Sequence, residues 1–307
     1  MKQNKKILIT GVNGFLGRAL WRYLKKQNTG FQIYGLSRTD DGCDSGIFVC
    51  DLTAKDKLKA VLVSMRPDFI FHMAGGRMID KKILFRSNYE TTQCLLDVIQ
   101  EIDIRPRVII PGSAAEYGRM CRTRRKVKET DTAMPVTAYG IAKFKQTKLG
   151  LDYARKGGDV VIARIFNVMG EGTPSTLAIG RFAEQIVRIE QGLQEKVMDT
   201  KNLESKRDFL DIKDICAGLW AVARDGSSGE IYNVCSGHPL EMGKALRGLL
   251  LLSRIKNVII RKSKDSHSPS FDVIGSNMKL RSVSGWFPEV SLERSLKGTL
   301  DSHRARR

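Results

Sequence analysis

Tyr139 and Lys143 stand four residues apart in a stretch that reads as a helix, so their side chains share one face. A phenol of ordinary acidity, with a pKa near ~10, is a sluggish proton donor at neutral pH. A neighbouring ammonium stabilises the phenolate and brings the pair toward the working range. Taken alone, Tyr-x-x-x-Lys recurs by chance and reads equally well as a surface pair. A third group changes this: Ser113, in Pro111-Gly112-Ser113-Ala114-Ala115-Glu116-Tyr117-Gly118, places a hydroxyl at the end of a strand. Phenol, ammonium and hydroxyl together suit proton transfer at a carbonyl or alcohol oxygen.

A second constellation lies near the start. Thr10-Gly11-Val12-Asn13-Gly14-Phe15-Leu16-Gly17 follows an apolar strand and opens a helix, with glycines at every third position. Gly11 permits the tight turn, Gly14 lets backbone amides approach a pyrophosphate, and Gly17 lets helix and sheet pack closely. The helix N-terminus adds oriented amides and partial positive charge. Strand, glycine triplet and helix in that order point to a dinucleotide. The adenosine end of such a ligand is read at the close of the second strand, here Gly35-Leu36-Ser37-Arg38. The hydroxyl of Ser37 and guanidinium of Arg38 suit a 2′-phosphate, so NADP(H) is expected rather than NAD(H). Asp40 and Asp41 reverse that reading if their loop folds back.

The elements that must position these groups alternate. Strands are expected at 6–10, 31–36, 47–50, 68–72, 107–111 and 159–166, and helices at 15–27, 82–102 and 137–156. The fold class is therefore α/β, a doubly wound parallel Rossmann sheet. Beyond residue 166 the pattern loosens into helices near 176–191, 212–225 and 240–253 with short strands such as 230–234. Residues 1–166 are read as the dinucleotide-binding domain. Residues 167–307 are read as a smaller, partly interleaved substrate lobe, the two meeting over the carboxyl ends of the strands.

Composition narrows the class. A chain of 307 residues, 42% hydrophobic and 28% charged, can bury a large core. No apolar run approaches the roughly 20 residues of a membrane span, and the N-terminus reads as a first strand rather than a secretory signal. The six cysteines are scattered without Cys-x-x-Cys, so neither a metal site nor a disulfide framework is expected, and a cytoplasmic protein fits. The formal net charge of +19 raises the local concentration of anions, whether nucleic acid, small phosphorylated ligands or none in particular. Its densest cluster is Arg119, Arg122, Arg124, Arg125, Lys126 and Lys128; a second is Arg304, Arg306 and Arg307. No nucleic-acid motif accompanies either, and no aromatics interleave the first.

The glycine loop, the segment around Ser113 and the Tyr139–Lys143 pair resemble the three motifs of the extended short-chain dehydrogenase/reductase family, the NAD(P)-dependent sugar epimerases, dehydratases and reductases. The resemblance runs along most of the chain. It implies that Ser113, Tyr139 and Lys143 are catalytic, and that Tyr139 and Lys143 also touch the cofactor with Gly11, Asn13, Gly14, Phe15, Leu16 and Gly17. Asp51-Leu52 resembles the adenine-contacting pair, and His72-Met73-Ala74-Gly75 the loop beside the diphosphate, with Gly75 where an alanine is usual. Asn88 falls at the family's asparagine. Arg164-Ile165-Phe166-Asn167 resembles the family's Arg-Pro-Phe-Asn segment, lacking the proline; Ile165 is expected at the cofactor and Asn167 at the substrate phosphate or sugar. The stretch around Arg207-Asp208-Phe209 resembles a motif whose arginine clamps the substrate diphosphate. Ser113, Ala114, Glu116 and Arg181 complete the expected substrate set.

Dehydratases in the family carry carboxylates one and two places after the serine; here those places are Ala114 and Ala115, which argues against that chemistry. Within the family the resemblance is strongest to reductases of GDP-linked 4-keto-6-deoxy-mannose, implying GDP-rhamnose or its 4-epimer as product. One departure is the second diphosphate arginine, absent from Ser268-Pro269-Ser270-Phe271-Asp272; Lys262, Lys264 or the basic 119–128 segment would have to replace it. Two other readings remain: a nucleotide-sugar 4-epimerase with tightly bound NAD, and a non-catalytic NADP-binding regulatory or RNA-associated protein. A homodimer through helices 82–102 and 137–156 is also implied. Leu95, Leu96, Val98 and Ile99 would serve that surface or the core equally well.

Overall fold

The computed structural model describes residues 5–27, 30–39, 46–76, 80–119, 125–262 and 272–305. The first half alternates as its periodicity demands. Strand β1 (Lys6–Thr10) leads to α1 (Phe15–Lys26), then β2 (Gln32–Ser37), β3 (Ile47–Val49), α2 (Lys55–Met65), β4 (Phe69–His72) and α3 (Lys81–Phe85). A π turn at Arg86–Glu90 joins α3 to α4 (Thr91–Glu101), followed by β5 (Arg107–Ser113), a 3-10 turn at Ala114–Glu116, α5 (Ala138–Arg155) and β6 (Val160–Ile165). The second half comprises β7 (Asn167–Met169), α6 (Ala178–Glu190), β8 (Val197–Thr200), β9 (Lys206–Asp211), α7 (Ile212–Asp225), β10 (Ile231–Val234), β11 (Pro239–Glu241), α8 (Met242–Leu251), β12 (Ile259–Lys262), α9 (Met278–Ser284) and α10 (Leu292–Arg304).

Seven strands form one parallel sheet in the order β10-β6-β5-β4-β1-β2-β3. The chain winds outward both ways from the β1/β4 boundary, which makes a crevice there at the carboxyl ends of the strands. The seventh strand, β10, comes from beyond residue 166. So does α7, which packs with α1 on one sheet face through Leu20, Trp21, Ile215 and Leu219. The other face is covered by Leu58 and Leu62 of α2, Leu95 and Ile99 of α4, and Leu149 of α5. A separate core joins α6, α8 and α10 under the three-stranded sheet β11-β9-β7.

Two expectations change. The helix expected over 82–102 is interrupted by the π turn at Arg86–Glu90, where Asn88 donates to the Leu84 carbonyl at 2.8 Å and Thr92 to the Asn88 carbonyl at 2.6 Å. Leu95, Leu96, Val98 and Ile99 are fully buried against the sheet, so they are core and do not furnish a dimer surface.

Candidate active site

The two loops that flank the β1/β4 crevice hold the glycine motif and its neighbour. Gly11 turns the chain with φ 63° after β1. Gly14 is the exposed N-cap of α1 and supplies no side chain, so the first-turn amides, from Phe15 and Leu16 through the buried Gly17, begin without a side-chain cap. Asn13 ties this loop to the end of β2, donating to Ser37 Oγ at 3.0 Å and to the Thr39 carbonyl at 3.3 Å. Ser37 is buried beneath Asn13, and Arg38 is exposed beside it. Asp51 is exposed; bonds from the amide and hydroxyl of Thr53, both 2.8 Å, hold its carboxyl below the usual range, and Leu52 beside it is buried.

Across β1, Met73 is buried, Ala74 half-buried and Gly75 exposed. Gly75 has φ 110°, and a Cβ there would lie 2.7 Å from Asn88 Oδ1. This explains glycine where the family has alanine: side chains rarely adopt that φ, and Asn88 fills the space while donating to the Gly76 carbonyl at 3.0 Å. An uncapped helix start, a close-packed glycine loop and an exposed guanidinium at the end of β2 fit a phosphorylated dinucleotide.

The expected catalytic residues lie on β5 and α5, which pack together beside this crevice. Ser113 ends β5 directly opposite Ile165 of β6. Its Oγ accepts from Ala115 N at 3.2 Å, and its own amide donates to Glu116 Oε1 at 2.7 Å, a reciprocal capping box. With Oγ accepting from the backbone, the hydroxyl proton is the part left for a ligand oxygen. Glu116 Oε2 takes Arg164 Nε at 3.1 Å and Nη2 at 2.8 Å, and both residues are buried. Glu116 is therefore corrected from the substrate set: its carboxylate faces Ser113 and Arg164, and the residue has no exposed surface. Arg164 also lies over the Tyr117 ring at 4.5 Å, and Tyr117 donates to Asn233 Oδ1 at 2.7 Å. Ala114 and Ile165 are buried under the same edge.

Helix α5 starts at Thr137, whose hydroxyl accepts from Gly140 N at 3.0 Å. A Cβ at Gly140 would fall 2.5 Å from the Ala115 carbonyl oxygen, so only glycine lets the first turn of α5 lie against the turn after Ser113. That contact sets Tyr139, half-buried, on the Ser113 edge. Lys143, one helical turn on, is buried and donates to Gln146 Oε1. Burial lowers its pKa to about 8, against the opposing pull of Glu116.

The other residues expected at the substrate lie on β7, β9 and α6. Asn167 is half-buried and donates to the Asp208 carbonyl at 3.0 Å. Arg207, on β9, is half-buried beside Val273, and Arg181 is exposed in the first turn of α6. Asp208 is an anchor: buried, with its pKa raised by burial, it accepts from Ser236 N and Oγ and from the amides of Gly237 and Gly275. Lys262 pairs with Glu204, and Arg125 with Asp131, while Val127 bridges to Gly275. Asp40, Asp41, Arg122, Arg124, Lys264, Arg306, Arg307 and 268–271 lie outside the described residues. Among the described residues there is no cluster able to hold a metal, and no helix is long and apolar enough to cross a membrane.

Sequence reasoning passed over Gln146, Thr92 and the pairing of Glu116 with Arg164. Gln146 carried a usable signal, since it is three residues from Lys143 on one helix and so shares its face.

The sequence profile of the NAD dependent epimerase/dehydratase family matches residues 7–235, from β1 through β10. GDP-6-deoxy-D-mannose reductase of Pseudomonas aeruginosa is 25% identical over 311 residues, covering 98% of each chain. GDP-6-deoxy-D-talose 4-dehydrogenase of Aggregatibacter actinomycetemcomitans is 26% identical over 236 residues, 76% of this chain and 74% of that one. The structure of RMD from Pseudomonas aeruginosa complexed with NADPH is 25% identical and matches with a TM-score of 0.87, over 99% of this chain and all of that one. With the glycine loop, the Ser113 edge and the Tyr139–Lys143 turn all inside the matched span, the chain belongs to the NAD-dependent epimerase/dehydratase family.

Proposed function

We propose that the protein is an NADPH-dependent reductase of the C4 ketone of a nucleotide-linked 4-keto-6-deoxy sugar, with GDP-4-keto-6-deoxy-mannose as substrate. The observation that supports this reading is the packing of the first turn of α5, which carries Tyr139 with Lys143 one turn on, against the turn after Ser113, with the carboxylate-free Ala114 and Ala115 where a dehydratase needs acids. The near full-length likeness to a GDP-6-deoxy-D-mannose reductase supports the substrate class.

Gly11, Asn13, Gly14, Phe15, Leu16 and Gly17 would hold the diphosphate. Arg38, with Ser37, would hold the 2′-phosphate, and Asp51, Leu52, Met73, Ala74, Gly75 and Ile165 would line the rest. Bound there, NADPH supplies the hydride that reduces C4. Ser113 donates a hydrogen bond to the ketone oxygen, drawing charge onto it. Tyr139 gives its proton to the same oxygen as the alcohol forms. Lys143, kept charged near neutral pH, stabilises the phenolate left behind. Arg207 would grip the substrate diphosphate, with Asn167, Arg181 and Ala114 beside the sugar and nucleotide.

Two copies would pair through α3, α5 and the π turn. Phe85 and Tyr89 stack there at 4.8 Å, Lys145 lies over Phe85, and Ile83 and Ile141 are exposed. A cytoplasmic setting accords with the four described cysteines being free thiols.

The test is NADPH absorbance on mixing the purified protein with GDP-4-keto-6-deoxy-mannose. Loss of signal with NADPH, slower with NADH, is expected. An unchanged signal while NADPH binds would reject this substrate. NAD extracted from the purified protein would turn the reading toward a 4-epimerase.

A further inference from the structure

Lys143 is one end of a buried chain of polar side chains that crosses the sheet to the dinucleotide loop. Its ammonium has only protons to give, so Gln146 Oε1 accepts from it and Gln146 Nε2 donates onward to Thr92 Oγ1 at 2.7 Å. Thr92 directs its single hydroxyl proton to the Asn88 carbonyl at 2.6 Å, and therefore also accepts from His72 Nε2 at 2.9 Å. The His72 proton is thus on Nε2. The ring is fully buried, and burial together with the Lys143 charge lowers its pKa to about 3, so it is neutral and Nδ1 is an acceptor. Thr10 donates to that nitrogen at 3.0 Å and accepts from Ala74 N at 3.3 Å. Every proton in the series has one assigned direction, from the catalytic ammonium to the two loops that flank the crevice.

We propose that Gln146 is a positioning residue for the reaction: it orients the Lys143 ammonium and, through Thr92, His72 and Thr10, locks it to the backbone of the glycine loop and of Ala74. The inference rests on the role given to Tyr139 and Lys143 above. Gln146 touches no reacting atom in this scheme; it acts through Lys143. The helical i, i+3 spacing brings Gln146 to Lys143, and the packing of α4 on α5 brings Thr92 to Gln146. The π turn supplies the Asn88 carbonyl that fixes the direction of Thr92. The charged and titratable groups that bear on Lys143 are Glu116 from the turn after β5 and His72 from β4. Gln146, Thr92 and Asn88 are neutral, so they orient the ammonium without adding charge.

Two readouts test this in the full chain. In the free protein, nitrogen NMR of His72, assigned with His72→Asn, should find a neutral Nε2–H ring that does not titrate near the ordinary 6.5. An Nδ1–H ring, or titration in the ordinary range, overturns the chain of bonds. The second readout is the pH profile of turnover for Gln146→Leu and the near-isosteric Gln146→Glu, both with their unfolding midpoints. Leucine removes the acceptor of the ammonium, so the alkaline limb should move to lower pH and kcat should fall about tenfold to a hundredfold, with little change in KM. Glutamate restores an acceptor and adds negative charge, so its limb should move about one unit higher. Limbs that coincide with wild type, with kcat within about twofold, would overturn the proposal. Tyr139→Phe is assayed beside them. If it is dead while the Gln146 variants match wild type, this inference alone fails; if it keeps turnover, the reading of the site fails and takes this inference with it.

Discussion

The two walls of the crevice are built differently. On the proposed catalytic wall, Ser113 and Lys143 are each held by groups that are themselves held: Glu116 by Arg164, and Gln146 by Thr92. On the proposed substrate wall, Arg181 is exposed and Arg207 half-buried, while Asn167 donates to the Asp208 carbonyl. Asp208 there accepts from Ser236, Gly237 and Gly275 and so fastens those loops together. The contrast separates two demands. Transfer of a hydride and a proton needs groups fixed before the substrate arrives. Holding a flexible diphosphate calls for long cationic side chains that close on it.

That contrast can be broken or sharpened by substitution. The largest effect is expected from Tyr139→Phe, which removes the proton donor: turnover should fall about 10²- to 10⁴-fold, with NADPH affinity by fluorescence titration nearly unchanged. Retained turnover would place the acid elsewhere. Next comes Glu116→Gln, which leaves the buried Arg164 without its countercharge. A loss of about 3–5 kcal/mol of stability is expected, read from the denaturant midpoint, and an unchanged midpoint would show that the catalytic wall does not depend on this pair. Arg207→Ala tests the opposite wall. KM should rise by about thirtyfold, or about 2 kcal/mol, as a bond to a charged group is lost. An unchanged KM would assign the diphosphate to another group. The smallest effect is expected from Arg38→Ala, which should lower the preference for NADPH over NADH about tenfold, measured as the ratio of kcat/KM values. An unaltered ratio would assign the 2′-phosphate to another group.

What was legible in the sequence follows the same division. Tyr139 and Lys143 were readable because helical spacing alone puts them together, and the glycine loop because strand, turn and helix are contiguous. The sheet was readable from its apolar runs, except that β10 lies far along the chain and joins the edge of the sheet beside β6. Glu116 was misassigned because its partner, Arg164, is 48 residues away, on a neighbouring strand. Thr92 and Gln146 are 54 residues apart on two helices. No local period pairs such residues; only the docking of helix on helix and strand on strand does. The π turn was hidden for a related reason, since its residues fit a continuous helix until Asn88 is committed to the Gly76 loop.

The central claim, that hydride passes to C4 of the sugar at the Ser113–Tyr139–Lys143 edge, is tested most directly with NADPH carrying deuterium at the transferred position. After a single turnover with GDP-4-keto-6-deoxy-mannose, the account predicts one deuterium at C4 of the product alcohol and none in the oxidised cofactor, with transfer by Tyr139→Phe slowed about 10²- to 10⁴-fold. Product lacking deuterium at C4, or labelled as fast by the Tyr139→Phe protein, would contradict it.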